Sequence, residues 1–232
     1  MSAPTLDDSV HTVSAASAAP IALPTLEGVD FTLLSTNPDK LMDFKEGVAA
    51  VGFAATTGIE FEVPEIQAGW EALIVDKAAK QFSELIQQGI GSENAIQCCE
   101  DTGIECGKHP KKLPVPGYAT KDFIKMCAGN LHHLPALVGG DRDVVYRCSA
   151  VIRLPSGETI TITATTLGYF VEKRSKEDGC SGKGLIDTQF VPYDDPEQRT
   201  ISQMPLADRM KYHPRFKLIL LIIEELRKRY SF

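Results

Sequence analysis

The residues best equipped for chemistry are Glu100 and Asp101, side by side in Ala95-Ile96-Gln97-Cys98-Cys99-Glu100-Asp101-Thr102-Gly103. An apolar run leads directly into two carboxylates, a hydroxyl and a glycine. That order reads as a buried strand whose far end opens into a loop at Gly103. Side chains on a strand alternate between faces, but the twist at a strand's end lets neighbours converge. Two adjacent carboxylates repel, and neutralising both takes a divalent cation or a shared proton. The competing reading is an Asp-Thr-Gly turn with Glu100 in solvent.

A second candidate lies upstream. Phe31-Thr32-Leu33-Leu34 is a short apolar strand, followed by Ser35-Thr36-Asn37-Pro38-Asp39-Lys40, after which Leu41, Phe44, Val48 and Val51 recur at helical spacing. Asn37 suits an N-cap and Pro38 the first helical position, where a missing N–H costs nothing. A strand, a polar turn and a helix N-terminus aim backbone N–H groups at one spot, which suits phosphate. Lys40 is out of place in a first turn, where the helix dipole prefers acids. It is either an exposed lysine or the partner of an anion. Lys77 poses the same question, because it falls on the apolar stripe of a helix carrying Trp70, Leu73, Ile74, Ala78, Phe82, Leu85 and Ile86. It either snorkels to the rim or meets an anion in a cleft.

The elements that must position these groups follow from the rest of the chain. Its 232 residues suffice for one sizeable core or two small lobes sharing one. Contents of 43% hydrophobic and 24% charged residues describe an ordinary globular composition. A net charge of −7 argues against binding polymeric nucleic acid, although local Lys and Arg can still hold a nucleotide. The longest apolar run, Leu218 to Ile223, is too short to span a bilayer. No Cys-x-x-Cys pair occurs among the six cysteines, and with no signal peptide they read as reduced thiols of a cytoplasmic protein.

Residues 1–28, rich in Ala, Ser, Thr and Pro without Lys or Arg, read as a flexible tail, and 29–232 as one domain. Ile59 to Val63 reads as a strand ended by Pro64, and Pro114 to Tyr118 as a rigid loop. Val144 to Leu154 and Thr159 to Thr165 alternate cleanly around Pro155-Ser156-Gly157, an antiparallel hairpin. The helix from Phe216 to Leu226 is apolar on most sides and suits a core or a subunit interface. Gly179 to Gly184 fails as a P-loop, since Gly182-Lys183 is followed by glycine and not Ser or Thr. His132 and His133 are adjacent, about a hundred degrees apart on a helix, and do not make a metal pair. Together the elements predict an α/β fold of two lobes.

The order of these fragments resembles the inosine triphosphate pyrophosphatase family, whose members hydrolyse inosine and xanthosine triphosphates and their deoxy forms to monophosphate and pyrophosphate. Ser35-Thr36-Asn37-Pro38-Asp39-Lys40 stands where the family has Thr-Gly-Asn-x-x-Lys, and Pro64-Glu65-Ile66-Gln67 matches its Pro-Glu-x-Gln. Lys77 matches its helix lysine, Glu100-Asp101-Thr102-Gly103 its Glu-Asp-Thr-Gly, and Pro116-Gly117-Tyr118 its Pro-Gly-Tyr. The resemblance implies a two-lobed mixed β-sheet flanked by helices, with the active-site cleft between the lobes, and a homodimer. It implies Mg²⁺, with Mn²⁺ as a substitute, held by Glu65, Glu100 and Asp101. Glu100 and Asp101 would be catalytic, orienting or deprotonating the water that attacks the α-phosphorus. Lys40, Lys77 and Arg209 would neutralise the triphosphate, and Ser35, Thr36, Asn37 and Thr102 would help bind it.

The C-terminal third departs from the family. Gly184-Leu185-Ile186-Asp187-Thr188 replaces its Phe-Gly-Tyr/Trp-Asp-Pro, leaving Asp187 and the later Phe190. The missing aromatics sandwich the purine in the family, and such stacking is typically worth about 1–3 kcal/mol per base. The family's Ala-Glu-Met becomes Ser202-Gln203-Met204, and its Ser-His-Arg becomes His213-Pro214-Arg215, so that Arg215 alone is left to read a purine oxo group. The phosphate end is kept and the base end eroded. Gly184→Phe with Ile186→Tyr is then expected to restore preference for inosine triphosphate, unless Phe190 or Tyr212 already stacks. Two alternatives stand beside this reading: an inactive descendant that binds nucleotide or serves as a scaffold, and a pyrophosphatase for another modified nucleotide.

Overall fold

The computed structural model describes residues 24–25, 29–48, 56–66, 68–90, 94–106, 120–137, 142–175, 179 and 184–231. Pro114 to Tyr118 and most of the Gly179 to Gly184 loop lie outside them, as does Val51. Along the chain come β1 (Phe31–Leu33), α1 (Pro38–Val48), β2 (Thr56–Gly58), α2 (Trp70–Gln87) and β3 (Ile96–Cys106). Then follow α3 (Thr120–Met126), α4 (Leu134–Leu137), β4 (Val144–Arg153), β5 (Thr159–Phe170), β6 (Phe190–Pro192), α5 (Leu206–Tyr212) and α6 (Pro214–Arg227). The strands form one mixed six-stranded sheet in the order β2-β1-β3-β4-β5-β6. β1 runs parallel to β2 and β3, whereas β3, β4, β5 and β6 pair antiparallel. The parallel half and the antiparallel half are the two lobes, and β3 belongs to both.

Helices cover both faces at the centre of the sheet, where β1 and β3 are mostly buried on both sides, whereas β5 alternates exposed and buried residues. On one face α1 and α6 pack Phe44, Phe216 and Ile219 with Phe31, Leu33, Ile96 and Cys98. On the other, α2 packs Ile74, Ala78, Phe82 and Leu85 with Leu34, Cys99 and Val151. Cys98 and Cys99 therefore point to opposite faces, as strand geometry demands. Ile86 does not join this stripe: it is 62% exposed, near the last turn of α2 where the helix leaves the sheet. On α6 the inner residues are buried, but Leu220 and Leu221 face outward, 45% and 38% exposed.

Three expectations need correction. Residues 59–63 are not a strand. The ladder ends with the bond from Ile59 N–H to the Leu33 carbonyl, because β1 stops at Leu33 and nothing remains to pair with. The tail is tied down just before the domain: Thr25 bridges Ser231, whose N–H donates to the Pro24 carbonyl at 2.9 Å. His132 and His133 sit in a 3-10 turn with ring centroids 3.8 Å apart rather than splayed.

Gly103 also acts differently from a loop glycine. β3 continues through it to Cys106, and a Cβ there would collide with the Trp70 ring. The missing side chain is the space into which Trp70 packs, while its indole N–H donates to Ser149 Oγ at 2.7 Å. Gly103→Ala should therefore cost about 1–3 kcal/mol of stability by overpacking. Urea unfolding checks this, and an unchanged midpoint would contradict the packing.

Candidate functional site

The site forms where β1 ends and β3 does not. Leu33 pairs with Cys98, and Leu34 N–H makes a last bond to the Cys98 carbonyl. Beyond that point β3 loses its parallel neighbour while β4 still pairs with it from Gln97 to Cys106. Glu100 and Asp101 lie just past this step. They are mid-strand, not at a strand end as the sequence suggested, and alternation sends them to opposite faces. Glu100 goes to the α1/α6 face and Asp101 to the α2 face. What brings them together is Lys40, reaching in from the first turn of α1 over the exposed edge.

Lys40 Nζ lies 2.8 Å from Glu100 Oε2 and 3.9 Å from Asp101 Oδ1, and it donates to the Glu100 carbonyl at 3.2 Å. Asn37 aims this helix as its N-cap, with Oδ1 accepting the N–H groups of Asp39 and Lys40 at 2.9 and 3.2 Å. Ser35 Oγ accepts Asn37 N–H at 3.2 Å, closing the turn. Burial alone would lower the Lys40 ammonium, but the Glu100 and Asp101 carboxylates outweigh it and hold its pKa above the ordinary value.

Glu100 is the deepest charge in the site, 1% exposed. Its Oε1 accepts from the Thr102 hydroxyl at 2.7 Å and lies 3.5 Å from Arg215 Nε. Arg215 in turn donates to Asp43 Oδ2 at 2.6 Å and to Thr102 Oγ1 at 3.2 Å. Burial pushes the Glu100 carboxyl up, yet Lys40 and Arg215 together with the hydrogen bonds bring it down to about 2. Glu100 Oε2 faces Lys40 Nζ as its polar partner. Asp43 carried no signal in the sequence beyond being an acid on the inner side of an amphipathic helix.

On the other face, Lys77 Nζ sits between Glu65 Oε1 at 2.9 Å and Asp101 Oδ2 at 3.1 Å. The lysine on the apolar stripe of α2 meets anions and does not snorkel. Burial would lower its pKa, and Asp101 and Glu65 instead raise it. A cavity of about 530 Å³ opens beside it, walled by Glu60, Glu65, Gln81 and Lys121. The three expected metal ligands are thus paired two at a time, Glu65 with Asp101 and Asp101 with Glu100. Among the described residues no group of three or more His, Cys, Asp or Glu converges as a metal cluster. The donor chemistry still fits a hard cation: the candidate oxygens are all carboxylate, two of them meet at one point, and each now faces a lysine ammonium that a cation could replace.

The expected base-binding residues are engaged elsewhere. Asp187 is buried, and its Oδ1 accepts from the Tyr146 hydroxyl at 3.1 Å. His213 Nδ1 caps α6 by accepting Arg215 N–H at 2.9 Å, so the neutral ring carries its proton on Nε2, which faces Asp187 Oδ1 at 3.2 Å. Burial raises the Asp187 carboxyl, but His213, Arg215 and Tyr146 together hold it below its ordinary value. Arg209 pairs with Glu46 Oε2 at 3.0 Å and lies over the Phe216 ring, rather than beside Lys40 and Lys77. Gly184 cannot take the aromatic that the sequence reading would restore. Its φ is +44°, and a Cβ would come within 2.8 Å of Asp187 Oδ2. Ile186 packs half-buried against the core, and Phe190 and Tyr212 are buried in it, so neither aromatic offers a free face.

The Ham1 family model matches residues 31–224, and the chain belongs to the Ham1 family. No curated protein matches the sequence. Among solved structures it is similar to the Staphylococcus aureus Ham1 protein at 20% identity and a TM-score of 0.59, covering 86% of this chain and 98% of that one. It is also similar to a Mycobacterium abscessus nucleoside-triphosphatase, dITP/XTP pyrophosphatase, at 18% identity and a TM-score of 0.55, covering 85% and 100%. A third, a HAM1 protein from Coxiella burnetii, is 17% identical with a TM-score of 0.57, covering 86% and 98%.

The buried network has a pH signature. The Glu100 carboxyl sits at about 2 in the fold against an ordinary 4.5, so the stability it contributes is complete above 4.5 and lost as pH falls towards 2. The loss is of order 3 kcal/mol. Urea unfolding of the protein and of Glu100→Gln, stepped from pH 5 to pH 2, should show a shallower dependence in the variant. Equal slopes would mean the carboxylate is not held this way.

Proposed function

We propose that this protein is a nucleoside triphosphate pyrophosphatase acting on inosine- or xanthosine-type (deoxy)nucleoside triphosphates, releasing monophosphate and pyrophosphate. The observation that carries the reading is the pairing of two buried or half-buried lysines with three carboxylates over one strand edge. Membership of the Ham1 family supports it. So does likeness to a protein described as a dITP/XTP pyrophosphatase.

Glu65, Glu100 and Asp101 would hold a divalent cation, magnesium or manganese, which when bound supplies charge neutralisation and an activated water. Lys40 and Lys77 carry their charges on flexible stems, so each Nζ can turn from a carboxylate to a phosphate oxygen without moving its helix. That exchange neutralises the triphosphate and frees carboxylate oxygens in one motion. Thr36 would offer a phosphate its N–H and its hydroxyl, with Ser35 and Asn37 shaping the turn. Thr102 and Arg215 keep Glu100 ionised and oriented. Asp101, 8% exposed against 1% for Glu100, is the better placed of the two carboxylates to take a proton from water. Gly184 and Asp187 bring backbone rather than aromatic surface to the base end, which supports relaxed selectivity among bases.

Asp101→Asn and Glu100→Gln should each lower turnover at least a hundredfold while leaving the protein folded. Pyrophosphate release from a panel of ITP, XTP, dUTP, GTP and ATP with Mg²⁺ is the measurement. Activity close to the parent in both variants, or activity surviving excess chelator, would overturn the assignment. No release from any of the five would favour the alternative of a nucleotide-binding or scaffold protein.

A homodimer is part of the same proposal, in the cytoplasm. The outward Leu220 and Leu221 of α6 flank a groove of about 460 Å³ with Thr163 and Thr165, and Lys217 and Glu224 at its rim. Opposite charges on one face can pair across a twofold axis, Lys217 of one protomer with Glu224 of its partner. Light scattering should return twice the chain mass at micromolar concentration, and Leu220→Glu with Leu221→Glu should return the single mass. A monomer for the parent protein would exclude this.

A further inference from the structure

The turn that would receive a phosphate already holds a carboxylate from the chain itself. Thr36 donates twice to Glu60 Oε2, from its backbone N–H at 3.2 Å and from its hydroxyl at 2.5 Å. The remaining donors at this helix end are used locally. Asn37 N–H goes to Ser35 Oγ, and the N–H groups of Asp39 and Lys40 go to Asn37 Oδ1, while Pro38 has none. Thr36 is where the turn accepts an anion from outside, and Glu60 is the anion. The bond from the Thr36 hydroxyl is the largest influence on the Glu60 carboxyl, and with Lys40 and Lys77 it holds that group below its ordinary value.

The contact is built to open. Glu60 is exposed and sits one residue past the last ladder bond between β1 and β2, so its side chain can rotate away without breaking the sheet. It also forms part of the wall of the cavity shared with Glu65 and Lys77, at the phosphate end of the site. A carboxylate and a phosphate oxygen compete for the same donors, and two anions side by side would repel.

Resting on the pyrophosphatase reading above, we propose that Glu60 is an internal stand-in for a substrate phosphate, displaced from Thr36 when the triphosphate enters. Glu60 then sets how tightly this protein binds polyphosphate. A glutamine at this place still reaches Thr36 but brings no competing charge.

Calorimetric titration with inorganic tripolyphosphate tests this on the full chain, comparing the parent protein with Glu60→Gln and Glu60→Ala. Circular dichroism confirms that each is folded. Both variants should bind on the order of tenfold tighter, the change expected from removing one competing charge-assisted bond. KM for the nucleoside triphosphate should fall in the same direction. Unchanged or weaker binding in both, with the parent still releasing pyrophosphate from nucleotides, overturns the role of Glu60 and leaves the pyrophosphatase reading standing. If the folded parent neither binds tripolyphosphate nor releases pyrophosphate, the pyrophosphatase reading fails, and the role of Glu60 with it.

Discussion

The early stop of β1 beside β3 is the constraint on which the site depends. A parallel neighbour running the full length of β3 would bury its edge and keep Glu100 and Asp101 apart on opposite faces. Because β1 ends at Leu33, an edge is left open at the height of the two carboxylates, and the chain must cover it. Lys40 does so, bonding to the Glu100 carbonyl as well as to its carboxylate. Backbone polar groups at an open edge need partners as much as charges do. One lysine from the next helix satisfies both demands.

Such an arrangement is costly to build. An ionised carboxylate at 1% exposure is tolerable when cations surround it, and here Lys40, Arg215 and the Thr102 hydroxyl do so. The positive groups come from three different elements: α1, α2 and α6. Each is anchored by ordinary apolar packing on one face of the sheet or the other. Folding the core therefore assembles the charges, and neither lobe carries the site by itself. The lysines have long stems, whereas Arg215 is held in a fixed fork by Asp43, Thr102 and α6. The same network combines movable charges on the cleft side with a fixed one behind.

Around Asp187 the buried polar side chains face one another. Asp187, His213 and Tyr146 form a closed buried set, and the cap of α6 fixes the tautomer of the histidine that joins it. Gly184 is where it is because the turn before Asp187 needs a positive φ and no side chain. The departures from the resembled family at Gly184 and His213 thus fit the retained Asp187, and a side chain at Gly184 would meet steric resistance.

Several local features of the candidate site were legible in the amino-acid sequence. The cap at Asn37, the pairing of Glu100 with Asp101, the hairpin around Gly157 and the anomalous positions of Lys40 and Lys77 all rest on local rules of periodicity, capping and charge. Local rules hold because they involve neighbours within a turn or a strand. The sequence also carried the motif order that places the chain in its family. What only the tertiary structure decided is which partners meet. Glu60 looked like one residue of a strand, Asp43 like an unremarkable helix acid, and Gly103 like a loop residue. Their roles come from Thr36, Arg215 and Trp70, lying 24, 172 and 33 positions away, respectively. The length of β1 was equally out of reach, since a strand ends where its neighbour stops offering hydrogen bonds. Spacing along the chain cannot report a contact made across the sheet, and the chemistry of this site is made of such contacts.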